Sequence, residues 1–282
     1  MIMKFVNNIV IGLCLPVLFS CMDTIELDVK SYEPMVVVDG EINNKDDVQS
    51  LRLSITQPYF QNSQKSIIDE AVVNLYEDNT LIGTYTYTQE GEYLLDYKGK
   101  IGSEYILEIT LPDIQKHKHF SGKVILSKVE TLNPVSEISD LRYEYRNESL
   151  VFEEGYYLLL DTYDPKGKGD NYRWKVKVNG TVSNDPRQIM VLEDDRIDGN
   201  VIEGLDLTFE PFQEGDEIVV YQQSISNTFY SYLYDIYMQA LTQESFFDSP
   251  AYNPKSNLTS DIPVVGYFSA SAYREASIVI GN

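Results

Sequence analysis

From residue 35 to residue 128 the chain alternates apolar and polar positions with a period of two. Leu51, Leu53 and Ile55 take turns with Arg52, Ser54 and Thr56, the pattern of a strand with one buried face. Residues 35–42 are apolar almost throughout and contain Asp39-Gly40, a turn or bulge signal. Runs at 71–76, 81–88 and 92–97 follow, separated by Glu77-Asp78-Asn79 and Glu90-Gly91. Tyr105, Leu107, Ile109 and Leu111 share one face of the next run, and residues 119–126 supply a last one. Short strands at roughly ten-residue spacing, with polar turns between them, predict an antiparallel β-sandwich over residues 34–128.

Asn133-Pro134 marks a boundary, because the residue before proline is pushed out of helical geometry. A second domain is predicted over residues 135–282. Its runs at 155–163, 172–178, 188–192, 205–209 and 217–223 are rich in β-branched and aromatic residues. Asn179-Gly180 is the strongest two-residue hairpin signal in the chain. The period then changes. Phe229, Tyr230, Leu233, Tyr237, Ala240 and Leu241 recur at spacings of three and four, which predicts one amphipathic helix near 227–247. Ser226 or Asn227 is its expected cap. A proline-containing loop at 248–263 leads to terminal strands at 264–271 and 276–280. The fold class is therefore mainly β: a sandwich followed by a second β-rich domain carrying one helix.

Ahead of the alternating body lies a different pattern. Lys4, an apolar run at 9–19 and Ser20 directly before Cys21 have the build of a secretory leader whose removal exposes a cysteine for lipid attachment. Leu18, three before the cysteine, fits this reading; Phe19 departs from the small residue usual at the middle position. The run is too short to span a bilayer, which takes about 20 residues. Residues 1–20 are expected to be removed, Cys21 to be lipidated, and residues 21–33 to serve as a tether. Cys14 leaves with the leader, so no disulfide, cysteine metal site or thiol nucleophile is expected in the mature chain. Packing alone must hold it.

The formal charge of −22 becomes about −23 once Lys4 is lost. This excess argues against nucleic acid as a partner, since phosphate neutralisation needs clustered Lys and Arg. It also argues against electrostatic docking to anionic lipid. The membrane must be met through acyl chains on Cys21, and stable attachment takes more than one.

Candidate chemistry is sparse. His117 and His119, at i and i+2 of the expected strand 119–126 and its approach, could put two rings on one face. Lys116, Lys118 and Lys123 surround them and repel a cation, so no metal is assigned. The stretches 161–170 and 193–198 are acidic loops of the kind that can hold calcium. Neither matches the twelve-residue calcium loop, and Lys166, Lys168 and Arg196 offset their charge, so both read as solvated turns. No cofactor is expected. No Gly-x-Ser-x-Gly and no phosphate-binding glycine loop occurs. Paired carboxylates for glycoside hydrolysis carry no signal among 44 acids. A non-enzymatic protein is expected.

Tyrosine is abundant, at 22 residues, while Trp174 is the single tryptophan. Tyrosine gives stiff, amphipathic contact area suited to recognition. Tyr85 and Tyr87 share a strand face and read as cross-strand pairing. Tyr230, Tyr234 and Tyr237, on the helix with Tyr232, are the candidate ligand-binding residues.

Several stretches together carry a resemblance: Pro34-Met-Val-Val-Val-Asp-Gly40, Leu53-Ser-Ile-Thr-Gln-Pro58, Ala71-Val-Val-Asn-Leu75, Gly91-Glu-Tyr93, Gly102-Ser-Glu-Tyr105 and Val264-Val-Gly-Tyr-Phe-Ser-Ala-Ser271. With Cys21, the helix and the proline-containing loop, they resemble a Bacteroidota outer-membrane lipoprotein family, domain of unknown function 4249, over nearly the whole chain. The resemblance implies an N-terminal immunoglobulin- or transthyretin-like sandwich and a role as a binding or accessory protein beside a TonB-dependent receptor in nutrient uptake. It implies no catalytic residues. Acidic residues after the lipid cysteine direct such proteins to the cell surface, and Asp23 and Glu26 match in part, interrupted by Met22 and Thr24. The alternative is a pilin-like or adhesive surface subunit. Such subunits are trimmed after an early Arg or Lys, whereas Arg52 lies inside a predicted strand and Lys30 is the only cation between Cys21 and Lys45.

Overall fold

The computed structural model describes residues 33–57, 66–208, 210–242 and 251–281. Cys21 and residues 21–32 of the expected tether lie outside the described residues. Residues 34–282 form one compact unit.

Two six-stranded sheets make the sandwich. In the first, Val36–Asn43 and Glu92–Leu95 both pair antiparallel with Gln49–Ile55. Thr86–Tyr87, Ser66–Ile67 and Val264–Ser271 complete it. In the second, Val72–Glu77 and Val124–Ser127 flank Glu104–Thr110, with Thr80–Thr84, Leu258–Thr259 and Glu130–Thr131 added. The period-two pattern becomes burial directly. Val36, Val38, Ile42, Leu51, Leu53 and Ile55 turn inward from the first sheet, and Val73, Leu75, Leu107, Ile109 and Ile125 from the second, into one apolar cluster. Each such side chain contributes about 1.5–3 kcal/mol of transfer free energy.

The expected run at 81–88 is not one strand. Thr80–Thr84 pairs with Val72–Glu77 of the second sheet, whereas Thr86–Tyr87 pairs with Glu92–Leu95 of the first. The chain changes sheets at Tyr85, which is buried in the core at the crossing. Tyr87 stands opposite Tyr93 with ring centroids 5.3 Å apart, edge to face, as a cross-strand pair. The run at 119–126 is also revised. Lys118–Phe120 is a 3-10 turn, Gly122 takes a positive φ of 70°, and the strand begins only at Val124. Phe120 had read as a strand residue because it is apolar. It is buried from the turn instead.

The residues expected to separate two domains are themselves paired: Glu130 stands opposite Tyr105 and Thr131 opposite Glu104. The chain end also returns to the sandwich. Val264–Ser271 runs parallel to Val36–Asn43, and Leu258–Thr259 pairs with Val124–Ser127. At this parallel edge Gly266 has φ +98°, and a Cβ there would sit 1.9 Å from the Val38 carbonyl oxygen. Only glycine fits.

Residues 140–279 build two further sheets. Gly155–Tyr163 lies between Asp140–Arg146 and Val201–Asp206. The strand Asp140–Arg146 has no expected counterpart: Leu141, Tyr143 and Tyr145 do alternate with charged residues, but no residue in it is fully buried. The other sheet orders Thr181–Val182, Asn171–Val178, Glu217–Ser224 and Tyr273–Val279, with Met190–Glu193 on Asn171–Val178. Asn179-Gly180 closes its hairpin with φ of 47° and 85°, as a two-residue turn of this composition requires. One helix, Asn227–Thr242, follows; positions 243–247 of the expected helix lie outside the described residues. The cap is Ser226, whose Oγ accepts the Phe229 N–H at 3.2 Å. The helix buries Phe229 and Leu233 against Ile225 and Tyr267.

Candidate functional site

The helix carries the aromatic face expected from its spacing. Tyr230 and Tyr234, one turn apart, stack with ring centroids 5.9 Å apart and planes 13° from parallel. Tyr237 continues the row 6.4 Å beyond Tyr234. Tyr234 is 43% exposed, and Met238 and Leu241 extend the same apolar surface toward the helix end. Burial, then the charge of Glu193 and the neighbouring Tyr234, raise the phenol of Tyr230. Tyr232 points the other way, its ring 5.1 Å from that of Tyr267 in the helix–sheet seam. The three candidate tyrosines are thus brought together, while the fourth helix tyrosine is structural. Among the described residues no helix is long and apolar enough to cross a membrane.

The two acidic loops meet. Carboxylate oxygens of Asp164 and Asp170 from the first, and of Asp194 from the second, lie within 4.8 Å of one another. Asp164 and Asp194 are buried rather than solvated, which corrects the reading of each loop as a separate turn. Tyr172 donates its hydroxyl hydrogen to Asp164 Oδ1, and the Gly199 N–H binds Oδ2 at 3.0 Å. Asp194 Oδ2 accepts the N–H groups of Gly169 and Asp170 at 2.9 and 3.2 Å. Burial, then the charges of Asp164, Asp194 and Asp198, push the Asp170 carboxyl up. Three convergent carboxylates suit a hard cation with oxygen ligands, though calcium would need further oxygens from backbone or water. Sequence spacing could not reveal this, since the loops are about 30 residues apart and neither carries a ligand motif. Among the described residues, His117 and His119 belong to no such cluster. They lie at a 3-10 turn with ring centroids 6.1 Å apart, both packed on Phe120.

A third cluster escaped the sequence altogether. Glu130 is 2% exposed in the core. Its Oε1 accepts the Tyr267 hydroxyl at 2.7 Å and Asn257 Nδ2 at 2.9 Å. Tyr267 also lies 2.7 Å from Thr228 Oγ1 in the first helical turn. Burial raises the Glu130 carboxyl above its ordinary range, more than its hydrogen bonds lower it. An acid at one inward position of a short strand leaves no motif to find.

A solvent-open cleft of about 680 Å³ lies where the 44–47 and 98–101 loops meet the Tyr273–Val279 strand. Lys45, Asp46, Asp47, Lys98, Tyr273 and Arg274 line it, a polar wall of mixed charge. The Lys45 ammonium sits 4.7 Å from the Tyr221 ring centroid and 5.6 Å from that of Tyr273. Below it, Tyr273 donates its hydroxyl hydrogen to Glu41 at 2.5 Å, and Lys175 stands 3.6 Å from the same carboxylate. Burial raises the Glu41 carboxyl, but Lys175, Tyr273, Arg173 and Gln223 outweigh it and hold the group below its ordinary value.

The model of the family described as Domain of unknown function (DUF4249) matches residues 22–277, so the chain belongs to that family. No curated protein matches the chain.

Proposed function

Taking membership of this family as the premise, we propose that the protein is a lipid-anchored binding module of an outer membrane in the Bacteroidota. In this reading it is exposed at the cell surface and works beside a TonB-dependent β-barrel receptor in nutrient uptake. The observation that carries the reading is the leader pattern ending Leu18-Phe19-Ser20 directly before Cys21, with the family match beginning at residue 22, immediately after the cysteine. Acyl chains on Cys21 provide the hold that a body of charge about −23, once Lys4 is removed from the full chain's −22, cannot obtain from anionic headgroups. The stretch 21–33, fully extended, reaches at most about 45 Å and sets how far the body stands from the bilayer. The tyrosine row of the helix and the mixed-charge cleft offer contact surfaces for ligand and receptor. No catalytic step is assigned.

Metabolic labelling with an alkyne fatty acid tests the anchor. The native chain is expected to take the label and fractionate with the outer membrane, and Cys21→Ala to lose both properties. Isolation in mild detergent tests the partner: a β-barrel receptor should co-purify, and recovery of the chain with no β-barrel protein would overturn that half. Digestion of intact cells by added protease tests exposure, since a periplasm-facing chain survives it.

A further inference from the structure

The hairpin that joins Asp140–Arg146 to Gly155–Tyr163 breaks the rules of its own position. Tight bends are ordinarily filled by Gly, Pro, Asn, Asp or Ser, residues that accept turn geometry and tolerate water. Here Leu150 and Val151 occupy the tip. They are the two most exposed large apolar side chains among the described residues, at 106% and 79%.

The bend is nonetheless well tied. The Ser149 N–H binds the Phe152 carbonyl at 2.8 Å, and Ser149 Oγ accepts the N–H groups of Val151 and Phe152 at 3.2 and 2.9 Å. Phe152 folds back from the tip onto Arg146, whose guanidinium lies 4.4 Å from its ring centroid and 4.7 Å from that of Tyr157. Arg146 is fixed in turn by Glu144 at 2.6 Å and Asp206 at 2.7 Å. Of three consecutive apolar residues, one is packed as a buttress and two are held out in water. A local conflict of this kind, with its support intact, marks a functional surface.

Charge says what it fits. Glu148 and Glu153 are exposed on either side of the apolar pair in the chain, and Glu154 is exposed with its carboxylate accepting the Tyr145 hydroxyl hydrogen. The Arg146 cation is already paired to Glu144 and Asp206. An anionic leaflet or a second copy of this acidic chain would meet that rim with repulsion. We infer that the 147–154 tip is a docking finger, with Leu150 and Val151 entering an apolar pocket on another protein whose rim is lysine or arginine. The inference does not depend on the lipid anchor.

Photo-crosslinking in the native host tests it, with benzoylphenylalanine at position 150 of the full chain and, as control, at Thr181 beside the Asn179-Gly180 tip. Position 150 is expected to give one protein adduct that Thr181 does not give. Its attachment site, mapped by mass spectrometry, should be an apolar surface bordered by Lys or Arg. The yield should fall at least tenfold in Glu148→Gln/Glu153→Gln/Glu154→Gln, because the charged rim steers the contact. Leu150→Ser/Val151→Ser should keep the native unfolding midpoint yet lose co-purification of that protein. Adducts to lipid, to a second copy, to an unrimmed surface, to the same proteins as Thr181, or to nothing would each overturn the proposal.

Discussion

The Tyr267 hydroxyl lies 2.7 Å from Oε1 of Glu130, a contact between residues 137 positions apart. It ties the short strand Glu130–Thr131 of the sandwich to the returning strand Val264–Ser271, and Thr228 links the same hydroxyl to the helix. No charged side chain is among the groups that shift Glu130; burial dominates and its other neighbours are hydroxyls and an amide.

That burial gives a pH dependence with a definite sign. The folded Glu130 holds its proton more tightly than the unfolded chain, so unfolding releases a proton between the two pKa values. Stability should therefore fall as pH rises from about 4.3, the ordinary glutamate value, and level off above the raised folded value. Glu130→Gln is expected to flatten that fall in urea titrations at successive pH values. An unchanged slope would remove Glu130 as its source.

Asp170 predicts a gain. Its carboxyl is pushed up by burial and by Asp164, Asp194 and Asp198, so its ionised form opposes folding at neutral pH. In the presence of a chelator, Asp170→Asn should raise stability by about 1 kcal/mol, or about 2–4 °C in Tm. The wild-type chain should gain part of the same stability as pH falls through the raised value of Asp170, and the variant should not. A lower Tm for the variant in chelator would mean that the carboxylate is needed for the loop itself.

How much of this was legible depends on sequence separation. The inward positions Leu51, Leu53 and Ile55 could be read because strand burial follows local alternation. Asn179-Gly180 and the Ser226 cap could be read because their chemistry is contained within four residues. Tyr230, Tyr234 and Tyr237 fell on one face because helical spacing decides faces. The parallel pairing of Val38 with Gly266 could not be read, since alternation says nothing about which strands meet. The sheet change at Tyr85 was hidden inside an unbroken β-like run, and the meeting of Asp164 with Asp194 depends on two loops joined only by the fold.

The glycine at the parallel edge is a sharper probe of that long-range pairing. Gly266→Ala meets the Val38 carbonyl oxygen at 1.9 Å and requires φ +98°, so it should cost more than about 3 kcal/mol. Gly180→Ala has φ +85° but nothing within 4 Å, so strain alone should cost about 1 kcal/mol. Equal losses in urea unfolding would show that the clash, and with it the close parallel contact, is not what Gly266 relieves.

The helix separates folding from recognition most directly. Phe229 is buried, stacked on Tyr267 at 4.7 Å, so Phe229→Ala should cost about 3–5 kcal/mol. Tyr234 is 43% exposed and touches chiefly Tyr230 and Tyr237, so Tyr234→Ala should change stability by less than about 1 kcal/mol. If the row is a recognition surface, the same change removes stiff aromatic contact area from its centre and should weaken association with the co-purified receptor roughly tenfold. Urea unfolding and a pull-down titration on the two variants give the comparison. A Tyr234→Ala chain that folds and binds like the native one would reduce the tyrosine row to a solvated helix face.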